Sequence, residues 1–290
     1  MDIKMPQNIK SIINAVNQSE IASIKSVVSG IIRVINDPES TANDLIEMVE
    51  VDPPLMGKVL KVANSAYYSP VNKIGDLKHA VVWIGLDTLK ELALNQKVCD
   101  IFDGNKSING YSRNLLWKHC VLVAKLSKMI FRKEFGEKGI NAYVAGLLHD
   151  IGIIVEDNFI SEDFEKILER TSVEKKNLST LEKEVFGFNH AKIGMALANN
   201  WGLPQELSTA IGYHDNPLVV EPSFTRLTST LYVAEIISQK CDMVYSDIAF
   251  KDDQLFTKCI AALDIDVEAL DLIVEDVKEE LVEMHKQGLF

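Results

Sequence analysis

His149 and Asp150 stand side by side at the end of the apolar run Ala145-Gly146-Leu147-Leu148, where an imidazole nitrogen and a carboxylate oxygen can enter one pocket. Four more residues of metal-ligating type, His119, His190, His214 and Glu235, lie around them at separations of 20 to 40 residues. A carboxylate can bridge two cations, and histidine is a favoured ligand when a rigid element holds it and it is deprotonated. A single histidine on an apolar helix is more often a hydrogen-bonded core residue. The chain has only six, however, at 79, 119, 149, 190, 214 and 285, and four of them fall into this one ordered pattern. Their joint spacing favours ligation. Glu235 is an isolated carboxylate in Leu231-Tyr232-Val233-Ala234-Glu235-Ile236-Ile237. Buried there, it needs a cation or a hydrogen-bond partner; the alternative is the outer face of its helix. His79 precedes an apolar run and His285 lies in a charged tail, so both read as structural or solvated.

The elements that must position these side chains are helices. Apolar residues recur at spacings of three and four, with no convincing period-two strand, which predicts an all-α fold. Val27, Val28, Ile31, Ile32 and Ile35 form one stripe that ends at Asp37-Pro38, and a second helix begins near Thr41. Asp52-Pro53-Pro54 caps and opens a helix from Leu55 to Asn64. Residues 77–94 read as two helices meeting at Trp83-Ile84-Gly85-Leu86. The polar interval Asp103 to Gly110 marks the expected junction between an N-terminal part, 1–108, and a second part, 109–290. Helices are then expected at about 111–135, 140–155, 161–170, 179–186, 190–200, 204–213 and 225–240. An amphipathic tail helix near 266–286 carries Val267, Leu270, Val274, Val277 and Leu281, a stripe that suits core packing, a partner helix or a second copy equally well.

The balance of the 290 residues narrows the function classes. A net charge of −12 argues against neutralising nucleic-acid phosphates or docking on anionic lipid, and no apolar run is long enough to span a bilayer. Cys99, Cys120, Cys241 and Cys259 are far apart with no C-x-x-C pair, which points to reduced thiols and a cytoplasmic setting.

The order His119, His149-Asp150, His190, His214, Glu235 resembles the HD superfamily of metal-dependent phosphohydrolases, all-α proteins that bind one or two divalent metals. The resemblance implies one metal position at His119, His149, Asp150 and Glu235. Asp150 would bridge to a second at His190 and His214, with Asp215 where some relatives place another histidine. Metals in such enzymes orient phosphate and lower the pKa of a bridging water. The first half adds Asp52-Pro53-Pro54-Leu55, Val59-Leu60-Lys61-Val62-Ala63-Asn64-Ser65-Ala66-Tyr67-Tyr68 and Ala80-Val81-Val82-Trp83-Ile84-Gly85, which resemble the HDOD family. In that family a helical first half packs on an HD-like second half, and the domain is associated with bacterial signalling. Typical members have lost several ligands that this chain keeps, although Glu235 replaces an aspartate. Ile153 stands where the related HD-GYP phosphodiesterases carry lysine, and no Gly-Tyr-Pro follows His214.

The expectation is therefore a stand-alone signalling protein that works through contacts with other signalling proteins and carries a mono- or dinuclear site for iron, manganese or zinc. The alternative is a metal-dependent phosphohydrolase acting on a nucleotide or cyclic dinucleotide, with Lys118 or Lys192 steadying a phosphoester. A homodimer is compatible with either.

Overall fold

Helix boundaries in the N-terminal part follow local chemistry closely. The computed structural model describes residues 8–19, 21–104, 107–108, 110–241 and 252–286. In α1 (Ile9–Val16) the Asn8 side chain caps Lys10 N–H, and α2 (Ile21–Asn36) buries Val28, Ile31 and Ile32 before Asp37-Pro38 stops it. Asp44 reaches back 2.6 Å to the Thr41 amide at the start of α3 (Ala42–Glu50). Asp52 accepts from Leu55 N–H at 3.1 Å to open α4 (Pro53–Ala63), where proline costs nothing because the first-turn amides have no helical partner. Asn64 then holds the following loop: its side chain donates to Ile74 O and accepts from Ile74 N–H, both at 2.8 Å. Gly85, at φ +86°, separates α5 (Leu77–Ile84) from α6 (Leu86–Cys99), a backbone conformation that side chains disfavour.

Three features depart from the periodicity. A short antiparallel hairpin, β1 (Ser107–Ile108) with β2 (Tyr111–Ser112), occupies the polar interval. It is anchored by Tyr111 and Arg113, which donate to Asp157 at 3.1 and 2.6 Å. Neither α1 nor the helix over Asp253–Leu263 is expected from the periodicity. The helix expected over 140–155 is two helices, because the chain leaves helical geometry at Asp150 (φ −98°, ψ 12°).

The second part is built on the long α7 (Arg113–Glu134), which packs against α8 (Ile140–Leu148), α14 (Pro222–Ser238) and α16 (Val267–Lys286). Around it run α9 (Ile151–Phe159), α10 (Ser161–Glu174), α11 (Leu178–Phe186), α12 (His190–Asn200), α13 (Gln205–Tyr213) and α15 (Asp253–Leu263). Helix α12 packs on α9 and α13, α13 packs on α14, and α1 from the opposite end of the chain rests on α9 and α12. Gly146 lets α8 lie against the α7 backbone: a Cβ there would sit 2.5 Å from Ala124 Cα. In the tail helix Leu270, Val274, Val277 and Leu281 are buried against the body, whereas Val267, expected in the same stripe, is 48% exposed.

A buried ion network ties three segments together. Lys125 on α7 donates to Glu280 of α16 at 2.6 Å and faces Glu91 of α6, which also pairs with Lys128. Burial alone would lower the Lys125 pKa, but the Glu91 and Glu280 carboxylates outweigh it and raise it.

Candidate metal centre

Six side chains from five segments converge between α7, the α8–α9 junction, α12, α13 and α14. His119 comes from the middle of α7, which is buried over most of its length. His149 and His214 each stand one residue past a helix, α8 and α13, and use the same device. Each ring donates Nδ1–H to the carbonyl three residues back, Gly146 at 2.7 Å and Ile211 at 2.8 Å. A carbonyl can only accept, so both rings present Nε2 to the interior. His190 opens α12 and is held by Glu182, which accepts its backbone N–H at 2.9 Å and its Nδ1–H at 2.8 and 3.0 Å. Anchoring of the distal ring nitrogen by a carbonyl or carboxylate is typical of ligating histidines.

Asp150 divides the space. Its Oδ2 lies 3.2 Å from His149 Nε2 and 3.6 Å from His119 Nε2. Its Oδ1 lies 3.5 Å from His190 Nε2 and 3.7 Å from His214 Nε2. Glu235 projects inward from α14, with Oε2 2.9 Å from His119 Nε2 and 3.4 Å from His149 Nε2. Its alternative placement on the outer helix face is ruled out by those contacts. Donor atoms bound at about 2.1 Å to one cation are separated by roughly 3.0 Å in cis-octahedral and 3.4 Å in tetrahedral geometry. The separations here bracket that range. Glu235 Oε2 has no well-formed hydrogen bond despite its burial, and His119 and His149 point Nε2 at Nε2 across 3.3 Å. A shared cation would satisfy both. His119, His149 and Asp150, and separately Asp150, His190 and His214, could each hold a metal ion.

Charge in this pocket is polarised. Burial would raise Asp150, but His149, His190 and His119 around it hold it well below the usual carboxylate range. Glu235 is held low in the same way, against its burial, by His119 and His149. His190, which burial would lower, is raised to about 10 by Glu182, with Asp150 and Asp215 adding to the effect. His149 is likewise raised, by Asp150 and Glu235 against burial. His214 is lowered, chiefly by burial. The carboxylates thus draw positive charge, which is what a cation site requires.

Asp215 completes one wall. Its Oδ2 accepts from Ser179 Oγ and Asn189 Nδ2, both at 2.6 Å, leaving Oδ1 3.3 Å from His214 Nε2. A cavity of about 210 Å³ opens beside His119, Asp150, His190, His214 and Glu235, and Ile153, Asn177, Thr180, Lys183, Tyr232 and Ile236 help to line it. Lys183 of α11 is the lysine on this wall. Lys118 does not line it, and Lys192 is occupied over the Tyr213 ring, 3.2 Å from its centroid. His79 is exposed and pairs with Asp76 at 3.1 Å, and His285 is exposed, so both lie outside the site as expected.

Sequence reasoning missed Glu182, Ser179, Asn189 and Lys183. Glu182 carried a readable signal, a carboxylate beside the apolar stripe Leu178, Leu181, Val185 and Phe186, the argument that singled out Glu235.

Three comparisons place this geometry among known proteins. A protein of Treponema pallidum described as uncharacterized is 25% identical over 225 residues, covering 75% of this chain and 42% of its own length. Ribonuclease Y of Thermus thermophilus is 33% identical over 109 residues, 38% of this chain and 14% of the enzyme. This chain therefore spans less than half the length of the curated relatives it matches. The crystal structure of an HDOD domain protein of unknown function from Geobacter sulfurreducens superposes with a TM-score of 0.73 at 23% identity, covering 98% of this chain and 99% of that one. The HDOD domain family model matches residues 21–217, from α2 through the whole His119, His149-Asp150, His190 and His214 array, and by that match over more than half its length the chain is a member of the HDOD family.

Proposed function

We propose that this HDOD protein holds two divalent cations across Asp150 and hydrolyses a phosphoester in the adjoining cavity. The observation that carries the proposal is the division of Asp150, one oxygen facing His119 and His149 and the other facing His190 and His214, beside an open pocket. A cation kept only for stability is usually closed over by protein ligands, whereas catalytic sites keep an open side. When bound, a divalent pair supplies polarisation of a phosphoryl oxygen and acidification of water. Glu182 fixes His190, the Gly146 and Ile211 carbonyls fix His149 and His214, and Ser179 with Asn189 fixes Asp215. Lys183 is placed to meet a phosphoryl oxygen from the open side. Ile153, apolar, and Lys183 line the same cavity, so a cationic contact to substrate would come from Lys183. The cavity opens to solvent and has room for a phosphoryl group beside Asp150. The similarity to ribonuclease Y supports phosphodiester chemistry.

The test is turnover of a panel of aryl phosphomonoesters, aryl phosphodiesters, dinucleotides and short RNAs by protein loaded with manganese, iron, zinc or magnesium. Turnover that needs the metal and disappears in folded Asp150→Ala is expected. A fully loaded protein inert toward the whole panel would sink the hydrolase reading.

A second reading, a regulator acting through protein contacts, draws on a different observation. Tyr67, Val71, Val82 and Trp83 of the N-terminal part are each exposed, at 60, 92, 82 and 47%. Loss of a signalling output on Val82→Asp, with metal content unchanged, would favour it.

A further inference from the structure

The outer face of α5 departs from the pattern of a solvated helix face. Of its eight residues, Leu77, Ala80, Val81 and Ile84 are buried, whereas Lys78, His79, Val82 and Trp83 are exposed. Solvation favours polar residues on an outward face, yet two of these four are apolar. Trp83 does not stand alone. Its indole Nε1–H donates to the Tyr68 carbonyl at 3.0 Å, and the Tyr68 ring meets the exposed Tyr67 ring edge-to-face, centroids 4.9 Å apart. The loop that carries both tyrosines is closed by the two bonds between the Asn64 side chain and the Ile74 backbone. Scattered exposed apolar residues need no explanation, but a joined and anchored aromatic cluster is a different matter. Side chains already held in place lose little freedom when something binds them.

Charge decides what this surface fits. The chain carries 42 acidic residues against 30 basic ones, but the stretch from Pro53 to Trp83 holds four lysines, at 58, 61, 73 and 78, and a single acid, Asp76. Asp76 is occupied locally: it accepts from His79 N–H at 2.9 Å to cap α5 and pairs with the His79 ring at 3.1 Å. Lys78 sits one turn before Val82 on the same outward face, and Lys73 is exposed in the loop between the tyrosines and α5. We infer that this face docks an acidic, apolar-anchored segment of a partner protein. An apolar side chain of that segment packs against Trp83, Tyr67 and Val82, and its carboxylates meet Lys78 and Lys73. Aromatic anchors at the centre and charges at the rim are the usual anatomy of a protein interface. The exposed Val82 favours protein over single-stranded nucleic acid, whose bases draw affinity from stacking on rings rather than from aliphatic side chains. The inference rests on the reading of this protein as a regulator acting through protein contacts, and it is independent of the metal.

The experiment titrates the full chain into three fluorescent peptides of equal length that share one pattern of Leu and Phe, with the remaining positions filled by Glu, Gln or Lys. Anisotropy should show the Glu peptide binding tightest, by at least about tenfold over the Lys peptide, with the preference fading as salt rises. Val82→Asp should weaken the Glu peptide about 30-fold, the loss expected of an interface anchor. Lys78→Glu should weaken the Glu peptide and strengthen the Lys peptide, whereas Lys166→Glu on α10 should change neither. Circular dichroism establishes that the variants fold. Equal binding of the three peptides, no binding of the Glu peptide, or an affinity unmoved by Val82→Asp would overturn the inference. Competition by oligouridine would reassign the face to nucleic acid, and self-association in sedimentation, lost in Val82→Asp, would reassign it to a second copy; either overturns it. Peptide binding with a signalling output that Val82→Asp leaves unchanged would defeat the regulator reading and keep the surface. Output lost on Val82→Asp without peptide binding would do the reverse.

Discussion

Gly152→Ala and Gly57→Ala make the same chemical change in two helices and should move stability in opposite directions. In an exposed helix interior the change removes conformational freedom from the unfolded chain and is worth up to about 1 kcal/mol. Gly57 lies in α4, exposed, with nothing within 4 Å of an added Cβ. The full gain should appear there, a rise of about 2 °C in the thermal midpoint. At Gly152 the added Cβ would meet the His190 carbonyl oxygen at 2.0 Å and its carbonyl carbon at 2.7 Å. These are backbone atoms, so no rotamer change relieves them. Reaching even a 3.0 Å contact requires about 1 Å of separation between α9 and the start of α12. Overpacking of this kind costs typically 1–3 kcal/mol and occasionally more; against the propensity gain we expect a net loss of about 2 kcal/mol. The displacement also pulls Asp150, two residues before Gly152, away from His190, so manganese affinity should fall at least about tenfold, as when ligand support is lost. Denaturant unfolding of the metal-free proteins and calorimetric manganese titration read both effects. Gly152→Ala with wild-type stability and wild-type metal affinity would refute the claim that this backbone contact builds the site.

Asp150→Asn should empty both metal positions, since one residue serves both histidine sets; elemental analysis that still finds two equivalents in the folded variant would contradict the bridging role. Glu182→Ala should weaken metal binding by about 10- to 100-fold without touching a ligand, measured as metal retained after dialysis against a weak chelator. For metal-free protein, His190 is raised from the ordinary value of about 6.5 to about 10, so its proton stabilises the fold fully below pH 6.5 and that contribution fades as pH rises toward 10. The thermal midpoint of chelated protein should decline across that window, while metal binding, which competes with the same proton, strengthens; a flat chelated profile would count against it. Lys125→Met should destabilise the protein by about 3 kcal/mol, because Glu91 and Glu280 lose a buried partner, and Glu280→Gln should cost less since its side chain is 37% exposed. Comparable unfolding midpoints for the two variants would show that the network is not centred on Lys125.

Local sequence carried a large share of this protein. The caps at Asp52 and Thr41, the break at Gly85 and the stripe of α2 follow from the preferences of a few neighbouring residues, so they are legible without the fold. The ligand types and their order were legible too, because His, His-Asp, His, His and Glu on apolar helices are costly to bury without a purpose. The hairpin at 107–112 was not legible, being too short for a period and stabilised by the distant Asp157. Nor was the break at Asp150, where apolar residues continue on both sides and the chain turns only because α8 and α9 pack on different partners. Tertiary structure alone decided that Glu235 points inward and that Lys183 rather than Lys118 or Lys192 reaches the cavity. The physical reason is that periodicity fixes which face of a helix a residue occupies, while the residue across from it is set by how closely two backbones approach. Here that approach is governed by Gly146 against Ala124 and Gly152 against His190.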